Sequence, residues 1–309
     1  MRFEVGESEA GGRLDKWLAG AERLGSRARA LAALERGKVF LNDAEQSVAD
    51  GGRRLHAGDR IRLWLDRPGS AKRRFFSERH VAGLHLLYED DDLLVAVKPA
   101  GLLTVPLPAR PDEPSLSELI ARHLRRQVKR RPLVVHRIDR DTTGLVVFAK
   151  TPQAQERLRE QFARREPERV YMAVVYGHPR PDSGVWRDFL AWDQGGLRQR
   201  PSDERDERAK EAVSRYRVLE QVRGAALIEV RLVTGKRNQI RIQAGLRGHP
   251  LVGEQKYVFG TAPGRPIPFA RQALHAYRLA FRHPSDGHPL SFEAPLPEDL
   301  RRLLDALRG

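Results

Sequence analysis

His136-Arg137-Ile138-Asp139-Arg140-Asp141-Thr142-Thr143-Gly144-Leu145-Val146-Val147-Phe148-Ala149 sets a dense group of charged and hydroxyl side chains directly ahead of an unbroken apolar run. Apolar residues in succession after a glycine read as a buried strand. The next segment, Thr151-Pro152 with Ala154, Leu158 and Phe162 on one face, reads as a helix with a capping threonine and a proline in its first turn. Upstream, Leu93 to Val97 is another buried strand, ended by Lys98-Pro99-Ala100-Gly101, and Ser115 with Glu118 forms a capping box before the amphipathic set Leu116, Leu119, Ile120 and Leu124. Downstream, Tyr171 to Tyr176 and Leu227 to Val233 are further strands. The stretch from Asp193 to Glu211 is charged, lacks periodicity and is expected to be an exposed loop. From Val81 onward the pattern is mixed α and β.

Toward the N-terminus the pattern changes. Leu14, Trp17 and Leu18 share one helical face, and after the N-cap Ser26 a second face is formed by Ala30, Leu31 and Leu34. Gly37 stops that helix, Val39-Phe40-Leu41 reads as a strand, Asn42-Asp43 as a turn, and Ile61, Leu63 and Leu65 alternate with Arg60, Arg62 and Trp64. Arg13, Lys16, Arg27, Arg29, Arg36 and Lys38 decorate the helices, either as a phosphate-binding face or as a solvated surface. Pro68 to Arg74 has the composition of a linker. The chain is therefore expected to comprise an N-terminal domain over 1–67, a basic linker over 68–80 and a larger domain over 81–309.

The 309 residues carry 56 Lys and Arg against 41 Asp and Glu, a formal charge of +15, with a pI near 10.6. That balance points to a polyanionic partner, nucleic acid before an acidic membrane. The absence of cysteine excludes disulfides, thiolate zinc sites and a cysteine nucleophile. No leader-like or membrane-length apolar run is present, so a soluble cytoplasmic protein without membrane contact is expected. There is no Walker-type loop, zinc-binding His-Glu-x-x-His helix or Gly-x-Ser-x-Gly elbow. His85, His123, His178, His249, His275, His283 and His288 are scattered without ligand spacing, and no metal is expected.

Taken alone, the stretch His136 to Gly144 fits either a surface ion-pair cluster or a loop carrying catalytic groups on a rigid strand. Thr234-Gly235-Lys236-Arg237-Asn238-Gln239-Ile240-Arg241 is either a solvated basic turn or a cationic group that binds phosphate or meets a distant carboxylate. Tyr171 is either core or ligand-facing.

Two resemblances narrow these choices. Gly12 to Leu65 resembles an S-four type RNA-binding domain through Arg13 to Leu18, Ser26-Arg27, Gly37-Lys38-Val39 with Leu41-Asn42, and Gly58-Asp59. Leu86 to Leu300 resembles an RluA-like pseudouridine synthase. That match begins with Leu87 to Leu93, Lys98 to Gly101, His136 to Lys150, Arg169 to Ala173 and Lys210 to Val213. It continues through Leu232 to Arg241, Gly248 to Gly253 and Arg271 to Ala276. The second resemblance implies an α+β catalytic domain built on a mixed, largely antiparallel sheet, beside the small N-terminal RNA-binding domain. It implies Asp139 as the catalytic aspartate, Arg241 as the cation paired with it, Tyr171 as the aromatic beside the target base, and Arg137 as a residue holding RNA with that base extruded. Arg140, Thr143 and Lys98 on the catalytic face, and Arg13, Lys16, Arg27 and Lys38 on the N-terminal helices, are expected to contact RNA. The chain departs from the family in having Asn238 and Gln243 where histidine is usual, Lys236 where arginine is usual and Arg169 where lysine is frequent.

The implied reaction converts uridine in structured RNA to pseudouridine. It needs one anionic group near the ribose and no cofactor. A monomer acting on large-subunit ribosomal RNA, before transfer RNA, is the resulting expectation. The alternatives are a non-catalytic RNA-binding or ribosome-assembly protein and a glycoside or nucleoside hydrolase.

Overall fold

The computed structural model describes residues 1–35, 37–64, 79–81, 83–108, 112–127, 131–193, 195, 198–260 and 265–309, without the side chains of 79–81 and 125–127. The chain divides into two units, Met1–Phe75 and Phe76–Gly309. Arg36, Leu65 and nearly all of the expected linker over 68–80 lie outside the described residues.

The first unit consists of β1 (Arg2–Glu4), α1 (Leu14–Leu18), α2 (Arg27–Glu35), β2 (Val39–Leu41), β3 (Ala44–Glu45) and β4 (Arg60–Leu63). Its sheet runs in the order β1-β4-β2-β3. Asn42 and Asp43, at φ 49° and 64°, make the turn between β2 and β3 with both residues left-handed, a conformation these two types tolerate best after glycine. Leu14, Trp17 and Leu18 of α1 meet Ala30 and Leu34 of α2, as their spacing predicts, over Val39, Leu41, Ile61 and Leu63 of the sheet. Ser26 Oγ accepts the Arg29 amide at 3.2 Å, confirming the cap.

The second unit holds β5 (Arg79–Val81), β6 (Leu84–Glu89), β7 (Leu93–Lys98), α3 (Leu116–Gln127), β8 (Leu133–Val134), β9 (Thr143–Ala149), α4 (Pro152–Ala163) and β10 (Glu168–Tyr176). It continues with β11 (Ser183–Trp192), β12 (Gln199–Ser202), β13 (Lys210–Val222), β14 (Ala225–Leu232), α5 (Gln239–Leu246), β15 (Leu274–Arg282), β16 (Pro289–Glu293) and α6 (Glu298–Arg308). One mixed sheet runs β12-β11-β13-β14-β10-β15-β9-β7-β6-β5, with β16 on β15 and β8 on β9. Every pairing is antiparallel except β9 with β15. The expected α+β class with a largely antiparallel sheet is what the chain forms.

All seven residues of β9 are buried, which explains why its sequence is apolar without alternation: both faces are covered. Val146 and Phe148 pack with Leu116, Ile120 and Leu124 of α3, while Leu145, Val147 and Ala149 pack with Ala154 and Leu158 of α4. The other half of the sheet repeats the arrangement. Ile240 and Ala244 of α5 cover Ala173, Val175 and Ile228, and Leu300, Leu303 and Leu304 of α6 cover Val174 and Leu227. At roughly 1.5 to 3 kcal/mol for each large apolar side chain removed from water, these covered faces hold the central strands in place.

The stretch from Asp193 to Glu211 is not simply a loop. Gln199–Ser202 forms β12 on the sheet edge against β11, and β13 has begun by Lys210. Only Gln199 of β12 is buried, so the strand lacks the alternation that would reveal it, and Pro201 is tolerated because the strand is at an edge. Among the described residues no helix is long and apolar enough to cross a membrane.

Candidate active site

The centre of the sheet assembles the site. Asp139 lies in the loop entering β9, Tyr171 sits on β10, and Arg241 is in the first turn of α5, shortly after β14. The strands β9, β15 and β10 are neighbours, so residues more than 100 positions apart in sequence meet at one end of them.

Four consecutive carbonyls fix the Asp139 loop. The Ile138 carbonyl accepts Thr104 Oγ1 at 2.8 Å, and the Ile138 amide donates back to that same oxygen at 3.2 Å. The Asp139 carbonyl accepts the Thr142 amide at 3.1 Å. Lys98 Nζ donates to the Arg140 carbonyl at 2.6 Å, and Arg271 Nη1 to the Asp141 carbonyl at 3.1 Å. A loop with its acceptors taken this way holds its side chains without reorganisation. Gly144 lets β9 meet β15: at φ 114° a Cβ there would fall 2.2 Å from the Ala276 carbonyl oxygen.

On this loop the Asp139 side chain is about a quarter exposed, and its two oxygens differ. Oδ2 accepts Arg241 Nη1 at 3.1 Å and Asn238 Nδ2 at 2.6 Å. Among the described residues, no hydrogen bond reaches Oδ1. Arg241 is held from behind by Glu254, whose carboxylate takes Nε at 2.6 Å and Nη2 at 2.8 Å in a bidentate pair. Burial works against the Arg241 cation, but the Glu254 and Asp139 carboxylates outweigh it and raise its pKa. Burial likewise opposes the Glu254 anion, and Arg241 keeps its carboxyl below the ordinary range. Asn238 adopts the left-handed conformation at φ 57° as the N-cap position of α5, and its Oδ1 accepts the Tyr257 hydroxyl at 3.1 Å.

Arg137, Asp139, Tyr171, Trp192, Asn238 and Arg241 line a cavity of about 310 Å³. Burial pushes the Tyr171 phenol up to about 12, so it stays neutral at physiological pH. Trp192 is exposed at the rim, with the Arg237 guanidinium 5.6 Å from its ring centroid. A second, more polar cavity of about 480 Å³ shares Arg137, Asp139, Asn238 and Arg241 and adds Arg140, Arg198 and Lys256. The arrangement offers an aromatic wall, a charge-compensated carboxylate with one open oxygen, and a cationic approach.

Asp139, Arg241, Tyr171 and Arg137 thus come together, and Arg140 lines the adjoining cavity. Two other expected RNA contacts are corrected. Lys98 is fully buried, and its Nζ donates to the carbonyls of Pro99, Leu102 and Arg140 at 2.8, 2.7 and 2.6 Å, which uses every N–H of an ammonium. Burial pushes its pKa down to about 7, against the pull of Asp141 and Asp139. Thr143 is buried too, with Oγ1 2.8 Å from His275 Nδ1. Lys98 holds the loop and Thr143 ties β9 to β15, both from buried positions. In the N-terminal unit Lys16 is exposed and Lys38 half-buried, while Arg13 and Arg27 flank the buried Asp15 at 3.0 and 3.2 Å. The Arg13 guanidinium holds the Asp15 carboxyl down to about 2.

Two of the departures are accounted for by the structure, Asn238 as a partner of Asp139 and Gln243 in the core. Gln243 is fully buried, accepting from Ser214 Oγ at 2.7 Å and donating to Asp188, Trp186 and Ala212. The histidines are not all scattered: His283 and His288 converge with Asp286 between β15 and β16, although His283 Nε2 already lies 2.8 Å from Asp90 Oδ2. Sequence reasoning missed Thr104, Glu254, Trp192 and Tyr257. None of the four falls inside a quoted motif, Glu254 lying one position beyond Gly248 to Gly253.

Comparison with known proteins agrees with this geometry. Residues 92–245 match the family described as RNA pseudouridylate synthase. The chain is 32% identical, over its full length and 98% of the relative, to an uncharacterized RNA pseudouridine synthase of Chlorobaculum parvum. It is 34% identical, over its full length and 95% of the relative, to the protein of Haemophilus influenzae named ribosomal large subunit pseudouridine synthase D. Among solved structures, human RNA pseudouridylate synthase domain containing 4 superposes with a TM-score of 0.59 at 23% identity, covering 72% of this chain and 92% of that one, a likeness of fold.

Proposed function

The chain belongs to the RNA pseudouridine synthase family, and from that premise we propose that it isomerises uridines of large-subunit ribosomal RNA with Asp139 as the catalytic group. As a member of that family it is an isomerase whose substrate is RNA. The observation that carries the finer reading is the asymmetric Asp139 carboxylate, with Oδ2 held by Arg241 and Asn238 and Oδ1 hydrogen-bonded by no described residue, in the smaller cavity that Tyr171 also lines.

Isomerisation breaks the bond from C1′ of ribose to N1 of uracil, turns the ring, and rejoins it through C5, with the C5 proton lost and N1 protonated. Asp139 Oδ1 supplies the anion at the ribose, attacking C1′ or removing the neighbouring sugar proton. Arg241 compensates the charge on the other oxygen, and Glu254 fixes Arg241. Extruding the nucleotide from its stack costs a few kcal/mol. A base stacked on Tyr171 returns roughly 1 to 3 kcal/mol of that. Arg137 keeps the base extruded, a role supported by its lining both cavities.

The N-terminal unit is read as an S-four type RNA-binding domain, supported by its two helices on a four-stranded sheet and the exposed Lys16. The names of relatives favour large-subunit ribosomal RNA over transfer RNA as the substrate. The deciding experiment is Asp139→Asn. RNA affinity and fold are expected to persist while pseudouridine formation on ribosomal RNA falls to background; measurable turnover by the variant would refute the assignment.

A further inference from the structure

Tyr171 also lines another cavity, of about 500 Å³, which shares Arg137, Tyr171, Leu232, Gly235 and Lys236 with the Asp139 cavity. Its charged lining is of one sign: Arg137, Arg165, Arg169 and Lys236 line it, and among the described residues no carboxylate does. His136 also lines it, but burial, joined by the neighbouring Arg169 charge, holds that imidazole neutral with a pKa of about 3. None of Arg165, Arg169 and Lys236 forms an ion pair with a described residue. Glu168, next in sequence to Arg169, is instead within 4.0 Å of Arg231 and Arg278.

Arg169 is the anchor of this cluster. Its guanidinium lies so close to Gly235 that a Cβ there would fall 2.4 Å from Nη1. Its Cζ is 5.7 Å from the centroid of the Phe162 ring, and its Nε is buried with no hydrogen-bond partner among the described residues. Burial lowers the pKa of both Arg169 and Lys236, and the Arg165 charge lowers each further. Like charges gathered at a partly desolvated wall, with a donor left unpaired, are costly unless an anion completes them.

We propose that this cavity is a second RNA subsite, taking one backbone phosphate of the strand whose uridine enters the Asp139 cavity. It rests on the reading of that cavity as the uridine site. Tyr171 and Arg137 form the shared wall, so a nucleotide on one side has its chain continuing to the other. Arg169 offers a planar fork from a fixed position, while Lys236 and the exposed Arg165 supply mobile charge at the mouth, a combination suited to a phosphate.

Because Arg165 is exposed and Lys236 only half-buried, Arg165→Gln with Lys236→Gln removes charge without opening the core. Arg301→Gln with Arg302→Gln, exposed on α6, removes equal charge elsewhere. Binding of each full-length chain to a large-subunit ribosomal RNA transcript is measured between about 50 and 200 mM salt, with pseudouridine formation followed in parallel. The cavity pair is expected to weaken binding about tenfold relative to the α6 pair, to flatten the slope of log K against log salt by about 1, and to raise KM more than it lowers kcat. A slope and affinity equal to those of the α6 pair would overturn the proposal. So would inorganic phosphate binding by calorimetry that is lost in the cavity pair while the RNA slope stays unchanged, since the cavity would then serve free anions. If the wild-type chain makes no pseudouridine yet the slope still changes, the phosphate subsite stands and the catalytic reading of Asp139 falls.

Discussion

Whether Asp139 acts depends less on the residue than on what saturates one of its oxygens. Arg241 and Asn238 both bind Oδ2, which leaves Oδ1 as the atom for the proposed chemistry, and Glu254 holds the other two nitrogens of Arg241. Glu254→Gln replaces a bidentate anion with a neutral amide, leaving a buried cation less well held. Its expected consequence is a kcat lower by roughly 10- to 100-fold, the scale of a displacement near 1 Å, with RNA affinity within a few-fold of wild type. Single-turnover rates beside equilibrium binding would check this; an unchanged rate would mean that Arg241 is positioned without Glu254. That Asp139, Tyr171 and Arg241 would meet at one cavity was legible because each sits in a dense ordered motif. Thr104 and Glu254 were not, since their partners lie 34 and 13 residues away at no helical or strand period. Lys98 and Thr143 misled for the opposite reason. Their residue types suit RNA, but burial is a tertiary property that the motif does not carry.

The element that turns these residues into a site is β9, and its junction with β15 is where the fold has least tolerance. The parallel pairing of Thr143 with His275 and Gly144 with Ala276 brings the Asp139 loop beside β10 and therefore beside Tyr171. Gly144→Ala would drive a methyl group into the Ala276 backbone at a φ that L residues rarely adopt. A loss of about 3 kcal/mol or more in urea unfolding is expected, with RNA modification lost in proportion. A variant as stable as wild type would show that the junction can open without cost. The strands Leu93 to Val97 and Leu145 to Ala149 were readable because burial on both faces leaves only apolar residues. β12 was not, because an edge strand with one buried side chain has no pattern to read.

At the scale of the whole chain, the charge of +15 suits a polyanion, and the proposed RNA-binding role of the N-terminal unit makes affinity for RNA a sum over both units. Removing Met1 to Arg67 should therefore lower RNA affinity and flatten its salt dependence, while kcat at saturating RNA stays within a few-fold of wild type; an unaltered slope would assign the N-terminal unit another task. Acidity acts on the same molecule through buried neutral histidines. Burial holds His275 at about 4, and its ring spans Thr143 and the Ala294 carbonyl. Unfolded, it titrates near 6.5, so between pH 6.5 and 4 the unfolded chain binds a proton that the folded chain refuses. Stability contributed by the neutral ring is thus complete above pH 6.5 and lost as pH falls through that window, by about 3 kcal/mol for a shift of this size. His136, held lower still at about 3, extends the loss toward stronger acid. Urea unfolding at pH 7.5, 5.5 and 4.5 should show the catalytic unit weakening stepwise. His275→Gln, starting from a lower stability, should show a shallower fall over the same range, because the titrating group is gone. Parallel falls in the two proteins would place the acid sensitivity elsewhere in the chain.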